Sequence, residues 1–548
     1  MYNFDSQWGL WPAFFGSMVV ACSAMNDGSL LKMPPGEPPV WSRFPLGLVA
    51  VVCLTLLFVF DASAQKRVKL KQAQQLRSGR DAAGNKFSRA IGDVVFEQST
   101  TTIYCDSAWF YKDRNAVEAF GRIRITEGDS VTITGNKLEY DGNTKHAKLR
   151  KNVVFTKLAT STLYTENLDF SRPKNLAYYF NGGKLVDSIN VLTSNKGYYN
   201  LTNNVASFKK DVVVTHPDYL MKSDSLQYNS RTKIIYFRTA TNVLHRVDSS
   251  TFVYEGGEYD TRSRQSNLMT GTGETVEYKV ESKDYQLDDI SKIYRLRGNV
   301  VMSSKKDNLI IYGQAADYYK AKGYSKVYNN AYVAKVTDDN DTLFIAADTL
   351  VSIESEDPSK KRLLAYHNVR IYKSDMQGIA DSLEYRQLDS ALYFYRQPVL
   401  WTEGNQMTAD SIRMVMRNQA IDKVYLNANA FVISRDSLLN YNQIKGRHMT
   451  AEFRHAKINR VLVNGNGESI YYVLSDKEAA AMGMNRIICS DITIRFQDGK
   501  VKNLSFYTQP DARFIPPHEL KKEEMTLKGF SWREDRKPLR SDVVGSRP

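Results

Sequence analysis

From about residue 90 to residue 507 the chain alternates apolar and polar positions in short runs. A period of two puts every second side chain on one face, so these runs predict strands with one face buried and one face wet. Between Gly121 and Tyr140, for instance, Ile123, Ile125, Val131, Ile133, Leu138 and Tyr140 occupy alternate positions within their segments, with polar residues between them. No segment of comparable length has a 3.6-residue period. One short helix is predicted from Ser475 to Met484, with Ser475 or Asp476 as N-cap and an alanine-rich interior. It reads as an insertion decorating a repeat more readily than as a docking element.

A longer period organises these strands. A short phrase ending in an aromatic closes at Tyr111, Tyr140, Phe170, Tyr199, Tyr228 and Tyr259, with successive spacings of 29, 30, 29, 29 and 31 residues. Further copies close at Tyr278, Tyr318, Tyr385 and Met414, and the looser spacing near the middle marks Glu281 to Arg295 as an insertion. A second phrase, in which Asn or Asp precedes alternating apolar residues, ends at Phe155, Val214, Met302 and Ile371, with a variant ending at Trp401. That chemistry predicts a turn leading into a new strand. Each unit of about 30 residues is one supersecondary element that cannot bury its apolar face alone. About a dozen stacked units, at roughly 4.8 Å per strand, predict a body of at least ~55 Å with open strand edges at both ends.

Composition agrees with a β-rich, folded chain. The 548 residues are 42% hydrophobic and 11% aromatic, and 33 tyrosines stand beside only 15 prolines. Length alone would suggest three or four domains, but one continuous solenoid escapes the usual size limit. The first 64 residues read as a leader. Its apolar core, 46–60, follows Arg43, is short of the roughly 20 residues of a bilayer span, and precedes Ala62 and Ala64 in a signal-peptidase pattern with Gln65 as first mature residue. The upstream stretch resembles no signal-peptide n-region, so translation is expected to start near Met33; an uncleaved anchor is the competing reading. Beyond the leader come a segment at 65–90, repeat regions at 91–280 and 281–507, and a charged, Pro-containing tail at 508–548.

Only Cys105 and Cys489 follow the leader, at opposite ends of the stack, so no disulfide between them is expected. The leader holds Lys32 and Arg43 against Asp5, Asp27, Glu37 and Asp61, so its removal takes the formal charge from +14 to +16. A basic exported protein suits anionic partners other than nucleic acid, although solvated cationic faces give the same number.

The tandem phrases at this spacing resemble the OstA/LptA family of lipopolysaccharide-transport proteins, especially the longer OstA-like proteins of Bacteroidetes, over about Ile91 to Tyr507. The resemblance implies an all-β, elongated β-jellyroll or β-taco, with two facing antiparallel sheets holding acyl chains between them. It implies a periplasmic carrier of lipopolysaccharide, paired through edge strands with other transport components and end to end with itself. The implied groove lining is Ile123, Ile125, Val131, Ile133, Leu138, Tyr140, Val153, Phe155, Leu168, Phe170, Val212, Val214, Leu226, Tyr228, Val369, Ile371, Leu383 and Tyr385. The chain is several times longer than the short periplasmic member, and it lacks the series of amphipathic strands that would end in a transmembrane barrel.

Chemistry is sparse. Seven histidines are scattered without an H-E-x-x-H context, and no G-x-S-x-G is present, so neither a metal nor a catalytic site is expected. Asp224, Asp381 and Asp410 recur at one repeat position and are assigned to turns or strand edges rather than to a catalytic pair. The Gly271-Thr-Gly run lacks the context of a dinucleotide loop and is expected to be a hairpin turn; no cofactor is expected. Tyrosines at a fixed strand position pack a core more often than they stack sugars. Two alternatives stay open: a structural or adhesive β-solenoid with a dry core, and a glycan-degrading β-helix enzyme.

Overall fold

The computed structural model describes residues 67–545, apart from 82–83, 129–130, 158–160, 188, 307, 338–339, 356, 403, 418–419, 455–456, 476–479 and 498–499. The leader, its 46–60 core and the Met33 start lie outside the described residues. Among the described residues antiparallel pairing joins 35 strands into one sheet. Its regular members, such as Val131–Asp141 and His146–Lys157, alternate buried and accessible residues as the sequence pattern requires.

The sheet is creased lengthwise. Register breaks near the middle of successive strands, between Phe120 and Ile123, Thr134 and Lys137, and Arg150 and Val153. On alternate strands two consecutive residues there have positive φ, as at Gly121 and Arg122 (74° and 32°), Lys151 and Asn152 (65° and 50°), Lys210 and Asp211 (63° and 52°), and Gly298 and Asn299 (77° and 51°). Gly and Asn tolerate this left-handed conformation best, which explains the residues of the second sequence phrase. The phrase therefore marks a fold inside a strand, not the turn before one. Two arms result: arm A holds Val131–Thr134 and its register partners, and arm B holds Lys137–Asp141 and its partners. The two facing sheets expected from the resemblance are the two arms of this single sheet.

The recurrent aspartates sit at the crease. Asp410 accepts from Asn429 Nδ2 at 3.0 Å, and Asp381 lies 3.3 Å from His367 Nδ1 and from Arg396. Asp224 faces the crease pair Lys210 and Asp211 across the register break. At the far end of arm B, an Asp or Asn that follows the inward row caps several of the hairpins. Asp141 accepts from the N–H groups of Asn143 and Thr144, and Asn200, Asn229, Asp260 and Asp288 repeat the arrangement on their own loops. These Asx turns fix loop length, and with it register.

Several expectations need correction. No insertion interrupts the stack at Glu281 to Arg295: Tyr278–Asp288 and Ile293–Ser304 are ordinary paired strands. The spacing looked irregular because Tyr278 lies near the hairpin end of arm A, whereas Leu287 holds the position that follows Tyr259 on arm B. At the other end Phe110, not Tyr111, shares the inward row with Val117 and Tyr140, while Tyr111 lies under Arg114 on the opposite face. Gly271 and Gly273 belong to the strand Gln265–Glu274, where a Cβ would meet the rings of Tyr254 and Phe252 respectively. Of the predicted helix, 476–479 lies outside the described residues, and Ala481 to Met484 opens the strand Ala481–Gln497.

The charged tail is a third layer. After the strand Asp511–Ile515 the chain runs back across the outer face of arm A. Two buried glutamines tie it down. Gln443 donates to Met525 O and accepts from Leu527 N–H, both at 2.8 Å, and Gln406 donates to Ser531 O and accepts from Arg533 N–H, both at 2.7 Å. Farther along, Arg540 covers the Phe344 ring, and Val543 packs on Tyr332 and Phe344. Under the tail the outer face carries Phe431, Ile433, Ile470, Tyr472 and Met484. In the early strands the same register row holds threonines such as Thr126, Thr132 and Thr156, which face water with no cover needed.

Candidate functional site: the interior between the arms

The inward residues of both arms form one apolar interior whose closure changes along the stack. Up to Tyr285 it is a single continuous core. All of the residues expected to line a groove are buried there or in the C-terminal core, except Tyr385, which is partly exposed. Leu138, Leu168 and Leu226 are each 0% exposed and so touch one another's neighbours rather than solvent.

Bridges between hairpin ends of opposite arms shut this section. Tyr140 donates to Gln98 Oε1 at 2.5 Å, and Arg172 lies 2.9 Å from Glu127. Lys157 donates to Asn204 Oδ1 at 2.7 Å, Asp187 takes Lys233 at 2.8 Å together with the Tyr228 hydroxyl, and Asp218 takes Arg264 at 2.8 Å. In these last three bridges the partners stand 46 or 47 residues apart, about one and a half repeats, and their arm-A members Lys157, Asp187 and Asp218 recur every 30 or 31 residues, the pitch of the repeat. Among the described residues the series ends at Asp248–Lys320, 2.8 Å apart.

Partial burial pushes the Asp248 carboxyl up, but the Lys320 ammonium and the hydrogen bonds from Ser250 outweigh it and hold the pKa at about 2. A carboxyl depressed below its unfolded value of about 3.9 stabilises the fold above that pH, and the contribution is lost as pH falls toward 2. Asp248→Asn should therefore lower the thermal midpoint at pH 5, and the difference from the parent protein should shrink to a small fraction of that by pH 2. A difference as large at pH 2 as at pH 5 would contradict this role for the bridge.

Beyond Tyr285 the interior opens. The inward row of arm A continues through Met302, Ile311, Val333 and Ile345, and none of these is fully buried. On arm B the row that held Tyr140, Phe170 and Tyr228 continues through Tyr294, Tyr318, Ser325, Ser352, Leu363 and Tyr385. Tyr318 is 36% and Leu363 48% exposed. Nearer the crease, Ala316 and Ala365 stand in the row occupied earlier by Leu138, Leu149 and Leu168. Sequence reasoning selected the largest apolar residues and missed this row except for Tyr385. The available signal was the opposite one, small residues where the repeat elsewhere places Leu or Tyr.

Among the described residues no cluster of His, Cys, Asp and Glu could hold a metal ion, and no helix is long and apolar enough to cross a membrane. Cys105 and Cys489 are both buried and free. A family model described as OstA-like protein matches residues 65–224. Comparison with curated proteins finds no match. Among solved structures, LptH, the LptA homologous periplasmic component of the lipopolysaccharide transport device from Pseudomonas aeruginosa, aligns at 10% identity over 22% of this chain and 84% of that one. The TM-score is 0.19, too low for that likeness to carry an argument.

Proposed function

We propose that this protein, OstA-like over residues 65–224, is a non-enzymatic periplasmic carrier of lipopolysaccharide or a related glycolipid, with acyl chains held between the arms. The observation that carries the reading is a largely apolar inward face that recurs from strand to strand and is left partly uncovered between Tyr294 and Tyr385. Acyl chains placed there escape water at roughly 25 cal/mol per Å² buried. Partners of the same transport system would add to the strand edges at either end, where main-chain groups are free to pair, and copies would associate end to end. Directional movement needs energy from such a partner.

The test is to purify the mature protein from its own cell envelope and identify bound lipid by mass spectrometry. A phosphorylated, multiply acylated glycolipid near one per chain is the expected result. A folded protein free of acyl lipid would instead favour a structural β-solenoid, a reading supported by the dry core up to Tyr285.

A further inference from the structure

The lipid-carrying reading leaves open where a chain would enter a body this long. Three observations converge on the middle of the stack. Among the described residues the ladder of bridges between hairpin ends can be followed as far as Asp248–Lys320. Immediately beyond it the buried core shrinks to Val300, Ala316, Val327 and Ala331, all beside the crease. The mouth side of these strands and the next two is left to Tyr294, Tyr318, Ser325, Ser352 and Leu363, two of them too small to reach the opposite arm.

The rim of this stretch is cationic. Lys306 and Lys335 on arm A, and Lys322 and Lys361 on arm B, have no ion-pair partner among the described residues, and the first three are exposed. Two of the nearby carboxylates are already paired, Asp341 with Lys373 at 3.7 Å and Asp357 with Lys360 at 3.6 Å, while Glu354 accepts from Ser352. Apolar floor and free ammonium rim together fit an amphiphile with long acyl chains and an anionic headgroup, since the chains would be buried while charge-assisted contacts hold the head.

We infer that such a lipid enters and leaves sideways, through a window between the arms spanning the strands from Ile293–Ser304 to Met376–Arg386, and that the section before it is a sealed spacer and not a conduit. The inference rests on the lipid-carrying reading and adds the place of entry. It predicts that the inward residues of the sealed section, Leu138 and Leu226 among them, never meet lipid.

The test places a photo-crosslinking amino acid singly at Tyr318, Leu363, Leu138 and Leu226 in the full mature chain, with purified bacterial lipopolysaccharide as probe. Adducts are expected at Tyr318 and Leu363, at least ten-fold above those at Leu138 and Leu226. Ser325→Phe combined with Ser352→Phe should cut the window adducts at least ten-fold with the thermal midpoint unchanged. An excess of inorganic phosphate should leave them in place, since it supplies the charge but not the chains. Adducts at Leu138 and Leu226 equal to those in the window would overturn lateral entry while leaving lipid carriage intact. Window adducts that survive the two phenylalanines in a folded protein, or that phosphate abolishes, would also overturn it. Absence of adducts at all four positions would remove both readings.

Discussion

A chain ending at Ile515 is expected to lose several kcal/mol of stability in its C-terminal strands and to aggregate. The truncation uncovers Phe431, Ile433, Ile470, Tyr472 and Met484, now sealed by Leu527, Phe530 and Trp532. Each fully buried large apolar side chain contributes about 1.5–3 kcal/mol relative to exposure. Gln406 and Gln443, 1% and 0% exposed, lose partners that a continuing strand cannot supply; water would meet them only if the face became wet. An exposed apolar face of this size on a sheet is also a docking surface for other copies. Thermal unfolding, together with binding of a hydrophobic dye, reads both effects. A truncated protein with the parent's midpoint and no dye binding would mean that the tail merely rests on the sheet.

The second large effect separates the sealed section from the window. Leu168→Ala removes a side chain that is 0% exposed in a close-packed core. The cost should be about 2–5 kcal/mol, transfer energy plus the cavity left behind. Leu363→Ala acts on a side chain already 48% exposed and should stay within about 0.5 kcal/mol, as for other surface positions. Because units of a stacked repeat open locally, amide hydrogen exchange on the strands Ser161–Ser171 and Arg362–Tyr372 is the appropriate readout. Equal protection losses in the two variants would mean that the window is as tightly packed as the rest, and the route proposed for lipid would fail with it.

Some of this architecture was legible because its causes are local. Tyr140, Phe170 and Tyr228 lie on the inward face because a period of two leaves them no alternative once Leu138, Leu168 and Leu226 are buried. The phrase built on Asn152 and Asp211 was visible too, but its meaning was not. Asn or Asp before alternating apolar residues is compatible with a turn or with a crease, and only the register of the neighbouring strand separates the two. The Tyr278 copy misled for a related reason. Its composition matches the phrase, yet its strand places it at the hairpin end of arm A, so the arithmetic of the repeat broke where the structure did not.

The sequence alone determined that the chain is a stacked all-β repeat and, for most of its strands, which side chains face inward, since both follow from interactions within a few residues. Tertiary structure alone decided where the interior is shut and where it is open. Closure depends on pairs such as Asp187 and Lys233, one and a half repeats apart, and the cover over the back of arm A depends on tail contacts such as Gln406 to Ser531, 125 residues apart. No local pattern encodes which distant charge or backbone group arrives opposite a given strand, so packing across the mouth and over the back of arm A had to be seen.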